Sequence, residues 1–338
     1  MVWIGGYIFS PLLKSRWIRL IYVVIAASIY LVSYSDIFAH TYTYQAIAGL
    51  LLIIILSQYV LPSILMQASL SRQWIYAGSA LIACLPFLAI TYIPVALCLF
   101  IATFRMSDLR LITLGLGTGL LINLLFLGVT GSFAGYAAIH YYLNLKVVPL
   151  FLGGASPLEL IYSAYINATN GPQALLASGV ILFAFVRLAT GSSPVWRTLL
   201  FIIGIESLLL RGSGFQGLPY WCAVTTVPLI FFKETVQISR KLNLCLLVVL
   251  MFCLVKLLIV LPDDKARIRS KPVPKQTPFS ELVERYTDKN DRILAYSFQN
   301  YQYILADRLP GSASFFYLPW QAKYTEGVVC GSLLDNRR

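Results

Sequence analysis

Charged side chains are scarce in this sequence. Only 12% of its 338 residues are Asp, Glu, Lys or Arg, whereas an ordinary soluble domain carries roughly 25%. The chain is also 58% hydrophobic, so it has too few polar side chains to cover the surface of soluble domains. This composition excludes a cytosolic globular enzyme and a disordered chain.

Several chemical signatures are missing as well. The six cysteines form no Cys-x-x-Cys pair or Cys/His cluster, so nothing supports a structural zinc site or a disulfide framework. The sequence has no phosphate-binding Gly-Lys loop, no HExxH and no Gly-x-Ser-x-Gly. No metal site and no cofactor are therefore predicted, and a requirement for a divalent metal stays open.

The few charges are unevenly distributed. Residues 1–261 contain 19 charged side chains, and the much shorter segment 262–338 contains 21. The first part is predicted to be a transmembrane helical domain and the second a soluble tail. The net charge of +12 does not indicate a nucleic-acid partner, because basic residues of membrane proteins usually flank the spans and fix their orientation.

Long apolar runs predict the membrane spans, since a bilayer core needs about 20 apolar residues per helix. The runs cover residues 17–34, 46–68, 76–104, 111–130, 174–190, 199–210, 218–232 and 242–261. The run 76–104 contains Pro86 and Pro94, and a break near Thr91 divides it into two short helices. The predicted fold class is therefore an α-helical polytopic membrane protein with about nine transmembrane helices.

This nine-span arrangement agrees with the positive-inside rule. It places most basic residues between the spans on the cytoplasmic side: Lys14, Arg16, Arg72, Arg105, Arg110, Arg197, Lys233, Arg240 and Lys241. Asp36, the loop 131–173 and the tail then lie outside, in a multi-pass plasma (inner) membrane protein with an extracytoplasmic C-terminal domain. Because Tyr and Trp favour membrane interfaces, the aromatic loop 131–173 is predicted to contain helices on the outer surface.

The tail is predicted to be a linker, 262–276, followed by a small α/β domain, 277–338, that looks incomplete. Thr277-Pro278 is typical of a helix start, and a helix is predicted over 279–286. Strands are predicted over 292–297 and 313–318, with a helix over 300–306 between them.

Asp36 is the only acid in the first hundred residues and follows the first span on the predicted outer side. A carboxylate at the mouth of a helix bundle can act as a general base that deprotonates an acceptor hydroxyl or amine. His40 lies one helical turn further on and is its candidate partner. An interfacial cap at a helix end is the alternative interpretation.

Three further ionisable groups lie in or beside apolar runs. Glu206 is an intramembrane candidate, because acids in a membrane are costly; a structural ion pair is its alternative. Arg211 is a candidate ligand for a lipid phosphate, since Arg binds phosphate through two parallel hydrogen bonds. Lys256 is either a second phosphate ligand or a side chain that snorkels to the headgroups. A last group of aromatic residues has two interpretations: the rings stack on sugars, or they belong to interface belts and core packing. These residues are Tyr141, Tyr142, Tyr301, Tyr303 and Trp320.

Three stretches in order along the chain resemble membrane glycosyltransferases of the C-type fold, in the style of bacterial relatives of protein mannosyltransferases and of the lipid A aminoarabinose transferase. Residues 76–105 resemble the small-residue span before a cytoplasmic basic turn. Residues 211–220 (RGSGFQGLPY) resemble the outer loop that leads into a Pro-containing span. Residues 291–311, with DRILAY and YILADRLPG, are similar to the strand–helix–Arg-Pro pattern of the family's outer domain.

The resemblance implies transfer of a sugar from a polyprenyl-phosphate donor in the membrane to a glycan, lipid or protein acceptor outside it. The family opens with a span and a long acidic outer loop, whereas here about eleven residues separate the first two runs. Residues 1–13 look like the end of that loop, so we expect an N-terminally truncated relative. The alternatives are a transporter or flippase of lipid-linked sugars, and a non-catalytic membrane subunit.

Overall fold

Helices make up most of the described structure. The computed structural model describes residues 2–13, 15–33, 44–66, 70–138, 140–142, 156–169, 181, 184, 188, 194–210, 213–232, 276–293 and 301–311. Contacts along the chain divide it into two units, Met1–Val260 and Leu261–Arg338.

The described part of the first unit consists mainly of α-helices, a π-helix and four short 3-10 helices. The α-helices are α1 (Val2–Ile8), α2 (Arg16–Ser33), α3 (Tyr44–Ile54), α4 (Leu61–Leu65), α5 (Arg72–Leu88), α6 (Ile93–Thr103), α7 (Leu109–Val129), α8 (Phe133–Ala137), α9 (Pro157–Thr169), α10 (Val195–Glu206) and α11 (Ser213–Val224). The 3-10 helices are Ile90–Tyr92, Met106–Asp108, Ser207–Leu209 and Val227–Phe232.

The helix Tyr44–Leu65 lies in the core of this unit, and 78% of its most apolar stretch is buried. A helix that is apolar on all sides is stable when protein or lipid surrounds it. Between α3 and α4 it contains the π-helix Ile55–Val60. There Ser57 and Gln58 both donate a side-chain hydrogen bond of 2.7 Å to the carbonyl oxygen of Gly6 in α1. The π-helix therefore directs two polar side chains to a neighbouring helix.

α7 packs against α5 through a face lined by glycine. A Cβ added to Gly119 would lie 2.3 Å from the carbonyl oxygen of Ala80, so only glycine permits this approach. Other side chains of α7 are apolar and exposed: Leu121 is 56% exposed and Phe126 is 65% exposed. A long helix that exposes apolar side chains suits a lipid environment, because water disfavours such a surface.

Two helices among the described residues are long and apolar enough to cross a membrane, namely Tyr44–Leu65 and Met106–Val129. They support the membrane part of the predicted fold class and localisation. That the chain has nine spans, that its basic loops face the cytoplasm and that its tail lies outside the cytoplasm stay predictions. The run 242–261 lies outside the described residues, and only three residues of the run 174–190 are described.

The predicted break near Thr91 is confirmed. α5 ends at Leu88, Ala89 is extended with φ −163° and ψ 145°, and the 3-10 turn Ile90–Tyr92 leads into α6. Pro94 lies in the first turn of α6, where its missing N–H breaks no helical hydrogen bond. With 11 residues, α6 is roughly 16 Å long, which is about half of a bilayer core.

The described residues of the second unit form α12 (Pro278–Tyr286), β1 (Arg292–Ile293), α13 (Tyr301–Leu305) and β2 (Leu309–Pro310). The two strands pair in parallel, with Arg292 opposite Leu309 and Ile293 opposite Pro310. Val283, Ile293, Tyr303 and Ala306 form a small apolar core.

The predicted helix start at Thr277-Pro278 is confirmed. The backbone N–H of Ser280 donates to Oγ1 of Thr277 at 3.1 Å, and the N–H of Thr277 donates to Oγ of Ser280 at 2.8 Å. The helix predicted over 300–306 is present as α13. The strand predicted over 292–297 is described for two residues only, the strand over 313–318 lies outside the described residues, and β2 was not predicted. The small α/β domain as a whole stays a prediction.

Candidate functional site

Glu206 ends α10, whose sequence is otherwise mostly apolar (VWRTLLFIIGIE). Gly204 allows α10 to approach α6, because an added Cβ would lie 3.0 Å from the Cβ of Cys98. The hydroxyl of Ser207 donates a 2.6 Å hydrogen bond to the carbonyl oxygen of Gly204, where the helix tightens into Ser207–Leu209. The half-buried carboxyl group of Glu206 is thereby held at the end of a packed helix.

Tyr220 on α11 is the hydrogen-bond partner of Glu206. Its hydroxyl donates to Oε1 of Glu206 across 3.2 Å. The Tyr220 ring is only 2% exposed and lies edge-on to Trp221, with ring centroids 5.7 Å apart. α11 in turn lies close to α3, since a Cβ on Gly49 would come within 2.8 Å of Sγ of Cys222. Packing on both sides therefore fixes the phenol that faces the carboxyl group.

The carboxyl group of Glu206 and the hydroxyl of Tyr220 are ionisable groups in an otherwise apolar helix bundle. A polar group removed from water is costly unless it is hydrogen-bonded, and one phenol satisfies only part of the hydrogen-bonding capacity of a carboxyl group. Such a carboxyl can accept a proton, orient a hydroxyl or neutralise a nearby cation.

The other predicted site residues, Asp36, His40, Arg211 and Lys256, lie outside the described residues. Their roles as general base, partner and phosphate ligands stay predictions, as does an ion pair between Glu206 and Arg211. Of the predicted set, the structure places Glu206 alone, and it adds Tyr220, which sequence reasoning named only within a resemblance.

A network of buried hydroxyl groups also went unpredicted. The hydroxyl of Tyr7 is hydrogen-bonded to the hydroxyl of Thr225, and the hydroxyl of Tyr22 donates to the carbonyl oxygen of Thr225. All three side chains are fully buried. A single sequence gives no signal for this network, because hydroxyls spaced far apart in apolar runs look like ordinary packing residues.

Aromatic residues form a second cluster after α7. The ring centroids of Tyr136 and His140 lie 4.5 Å apart. Burial lowers the pKa of His140, and burial, with a smaller contribution from Tyr141, raises the pKa of Tyr136 to about 12. Tyr141 and Tyr142 are 46% and 44% exposed, so they are accessible for stacking, whereas Tyr303 of the second unit is buried in its core.

Among the described residues, no group of three His, Cys, Asp or Glu side chains is placed to hold a metal ion. Comparisons with protein-family models, with curated proteins and with solved structures find no match to this chain.

Proposed function

We propose that this chain is an integral membrane glycosyltransferase that moves a sugar from a polyprenyl-phosphate donor to a glycan, lipid or protein acceptor outside the cytoplasm. The acceptor oxygen or nitrogen forms a bond to the anomeric carbon of the sugar. The bond between that carbon and the phosphate oxygen breaks, and polyprenyl phosphate leaves with the electron pair. The acceptor proton passes to a carboxylate.

The observation that carries this proposal is the hydrogen bond between Glu206 and Tyr220 in an apolar helix pair. Acids in such surroundings are functional candidates because they are expensive to maintain. Five residues further along the chain is Arg211, a guanidinium suited to phosphate. In the sequence, Glu206 and Tyr220 therefore lie on either side of the arginine that is proposed to bind the phosphate.

Roles for the other residues follow from the same chemistry. Asp36, with His40 as its partner, is the proposed general base. Arg211 and Lys256 are proposed to bind the lipid phosphate and to stabilise the negative charge that develops on it as it leaves. Glu206 and Tyr220 are proposed to position the segment after α10 that contains Arg211.

The first test uses membranes that contain the full chain and a radiolabelled polyprenyl-phosphate sugar. We expect label to move to an extracted lipid, glycan or protein. Asp36→Asn should abolish this transfer, and undiminished transfer would exclude Asp36 as the base. Arg211→Ala should raise the donor concentration needed for half-maximal transfer more than that of the acceptor, and an unchanged donor requirement would exclude a phosphate contact.

A transporter or flippase of lipid-linked sugars is the second candidate function. Interrupted helices support it: the π-helix Ile55–Val60 divides one apolar helix, and Ile90–Tyr92 separates α5 from α6. Transporters commonly bind substrate at discontinuous helices. A flippase moves the intact lipid-linked sugar between leaflets, so recovery of uncleaved donor on the far side of proteoliposomes would favour transport over transfer.

A further inference from the structure

A cavity of about 180 Å³ lies where several helices of the first unit begin or end. Ser63 lies near the end of α4, Leu70 shortly before α5, and Thr103 at the end of α6. Arg105 and Asp108 lie in the connection from α6 to α7. Helix ends of a membrane bundle meet the lipid headgroup region, so this is a place where a headgroup can enter.

The cavity wall carries one positive and one negative side chain in its described part. The guanidinium of Arg105 donates from Nη2 to the carbonyl oxygen of Ser63, which holds its charge at the wall. Asp108 is the N-cap residue of α7 but accepts no capping hydrogen bond, although Asp at this position usually does. No ion pair or side-chain hydrogen bond joins its carboxylate to another described residue.

The guanidinium of Arg197 adds positive charge near Arg105. Nη2 of Arg197 donates to the carbonyl oxygen of Phe104 at 3.2 Å. Nε of Arg197 is buried and has no hydrogen-bond partner among the described residues. Burial, and next the charge of Arg105, lower the pKa of Arg197. Positive charge from two guanidinium groups that influence each other favours a bound anion beside Arg105.

The size of the cavity and the charges on its wall limit which ligands it can bind. The volume of 180 Å³ is below the roughly 300–1,000 Å³ of pockets for drug-sized molecules. A nucleotide or a whole lipid is too large, whereas a small headgroup fits. The opposite charges of Arg105 and Asp108 match a group with an anion at one end and a cation at the other. Beside the cavity, Met106 and Leu109 are 76% and 45% exposed and apolar, which suits acyl chains.

We propose that this cavity binds an ethanolamine phosphate ester, with the phosphate on Arg105 and the ammonium group on Asp108. The source of this group is the headgroup of a membrane phospholipid, whose chains then run along the exposed side of α7. Guanidinium and phosphate form charge-assisted hydrogen bonds, and so do ammonium and carboxylate. Binding of this headgroup does not require sugar transfer.

The test is native mass spectrometry of the purified full chain with phosphatidylethanolamine, phosphatidylcholine or phosphatidylglycerol of identical acyl chains. We expect preferential binding of phosphatidylethanolamine, because the choline headgroup has no N–H to donate and the glycerol headgroup has no cation. Arg105→Gln should weaken binding of phosphatidylethanolamine and phosphatidylglycerol by roughly tenfold, the effect of losing one charge-assisted hydrogen bond. Asp108→Asn should remove the preference for ethanolamine and leave phosphatidylglycerol binding intact.

Arg110→Gln is the matched control, since Arg110 is exposed, carries the same charge and is not among the residues that line the cavity. It should bind all three lipids as the wild type does. Equal weakening in Arg110→Gln and Arg105→Gln would overturn the proposal, as would an ethanolamine preference that survives Asp108→Asn. The Asp108 variant keeps the test decisive even if Arg105→Gln unfolds, because asparagine has nearly the same size and the described structure gives the Asp108 carboxylate no hydrogen bond or ion pair to lose.

Soluble O-phosphoethanolamine, added to lipid-free protein, distinguishes the two sources of this chemical group. Lipid binding without binding of the soluble ester supports the phospholipid as the source. Binding of the soluble ester with the same dependence on Arg105 and Asp108 supports the site and extends it to soluble ligands. If neither compound binds, the proposal is wrong.

Discussion

The glycine at 119 brings the backbone of α7 so close to α5 that a Cβ would lie only 2.3 Å from the carbonyl oxygen of Ala80. Gly119→Ala must therefore push the two helices apart. We expect a loss of stability of about 1–3 kcal/mol, the usual cost of overpacking, measured as a lower Tm of the full chain in detergent.

Gly117 provides the matched control, because it lies in the same helix and an added Cβ meets nothing within 4 Å. Gly117→Ala should leave the Tm unchanged or raise it slightly, since alanine favours helix over glycine by about 1 kcal/mol. Equal effects of the two substitutions would show that α5 and α7 do not pack as described.

Glu206→Gln and Tyr220→Phe test the buried pair. Glutamine keeps the size of the side chain but replaces the titratable carboxyl group, and phenylalanine removes the hydroxyl that donates to it. We expect each variant to lower kcat for sugar transfer by at least roughly tenfold. Tyr220→Phe removes the positioning hydrogen bond, whereas Glu206→Gln still accepts it but can no longer exchange a proton. KM for the acceptor should change much less.

Tyr76→Phe is the corresponding control, since it removes a hydroxyl from another membrane helix. The hydroxyl of Tyr76 donates to Oγ1 of Thr118 on the exposed side, remote in sequence from the Glu206 pair. Transfer should be unaffected. Unchanged kcat in both Glu206→Gln and Tyr220→Phe, with normal folding, would exclude the pair from the reaction.

His140 should titrate below the ordinary histidine pKa of about 6.5, because burial disfavours the charged imidazolium. A lowered pKa in the folded state means that the unfolded chain binds the proton more readily. Its contribution to stability is therefore present above the ordinary pKa and is lost as the pH falls through the folded pKa.

The measurement is an NMR titration of ¹³C-labelled histidine in micelles. The sequence has two histidines, so His40→Gln leaves a single signal that reports His140. A pKa at or above the ordinary value would contradict the burial of this imidazole against Tyr136.

Thr277→Ala should loosen the start of α12, since Oγ1 of Thr277 accepts the N–H of Ser280. Loss of an N-cap side chain costs about 1 kcal/mol, which corresponds to roughly fivefold faster hydrogen exchange in the first turn. Exchange within Pro278–Tyr286, measured by mass spectrometry on the full chain, checks this. The exposed Asn290→Ala should leave exchange unchanged, and an equal increase in both variants would contradict the cap.

Local signals predicted much of the described secondary structure. The two prolines in the long apolar run 76–104 were enough to predict the break near Thr91, because proline restricts its neighbours wherever it lies. Thr277-Pro278 predicted a helix start for the same kind of local reason. β2, by contrast, is two residues long and exists only through its pairing with β1, which no local pattern reveals.

The candidate site was less predictable. Glu206 stood out in the sequence because it interrupts an apolar run, but Tyr220 lies 14 residues away on another helix. Similarly, Arg105 looked like an orientation signal, and its place beside Asp108 in a cavity depends on where α4, α5 and α6 end. Sequence alone shows which groups are costly to bury, whereas tertiary packing decides which of them meet.

The most direct test of the proposed function follows both products of one reaction. The purified full chain in lipid nanodiscs is given a polyprenyl-phosphate donor labelled in the sugar, together with an acceptor extract. The account predicts one polyprenyl phosphate released for each labelled sugar transferred, and loss of both in Asp36→Asn. Donor that stays intact, or sugar that appears only as free hydrolysed sugar at the same rate in wild type and variant, would contradict it.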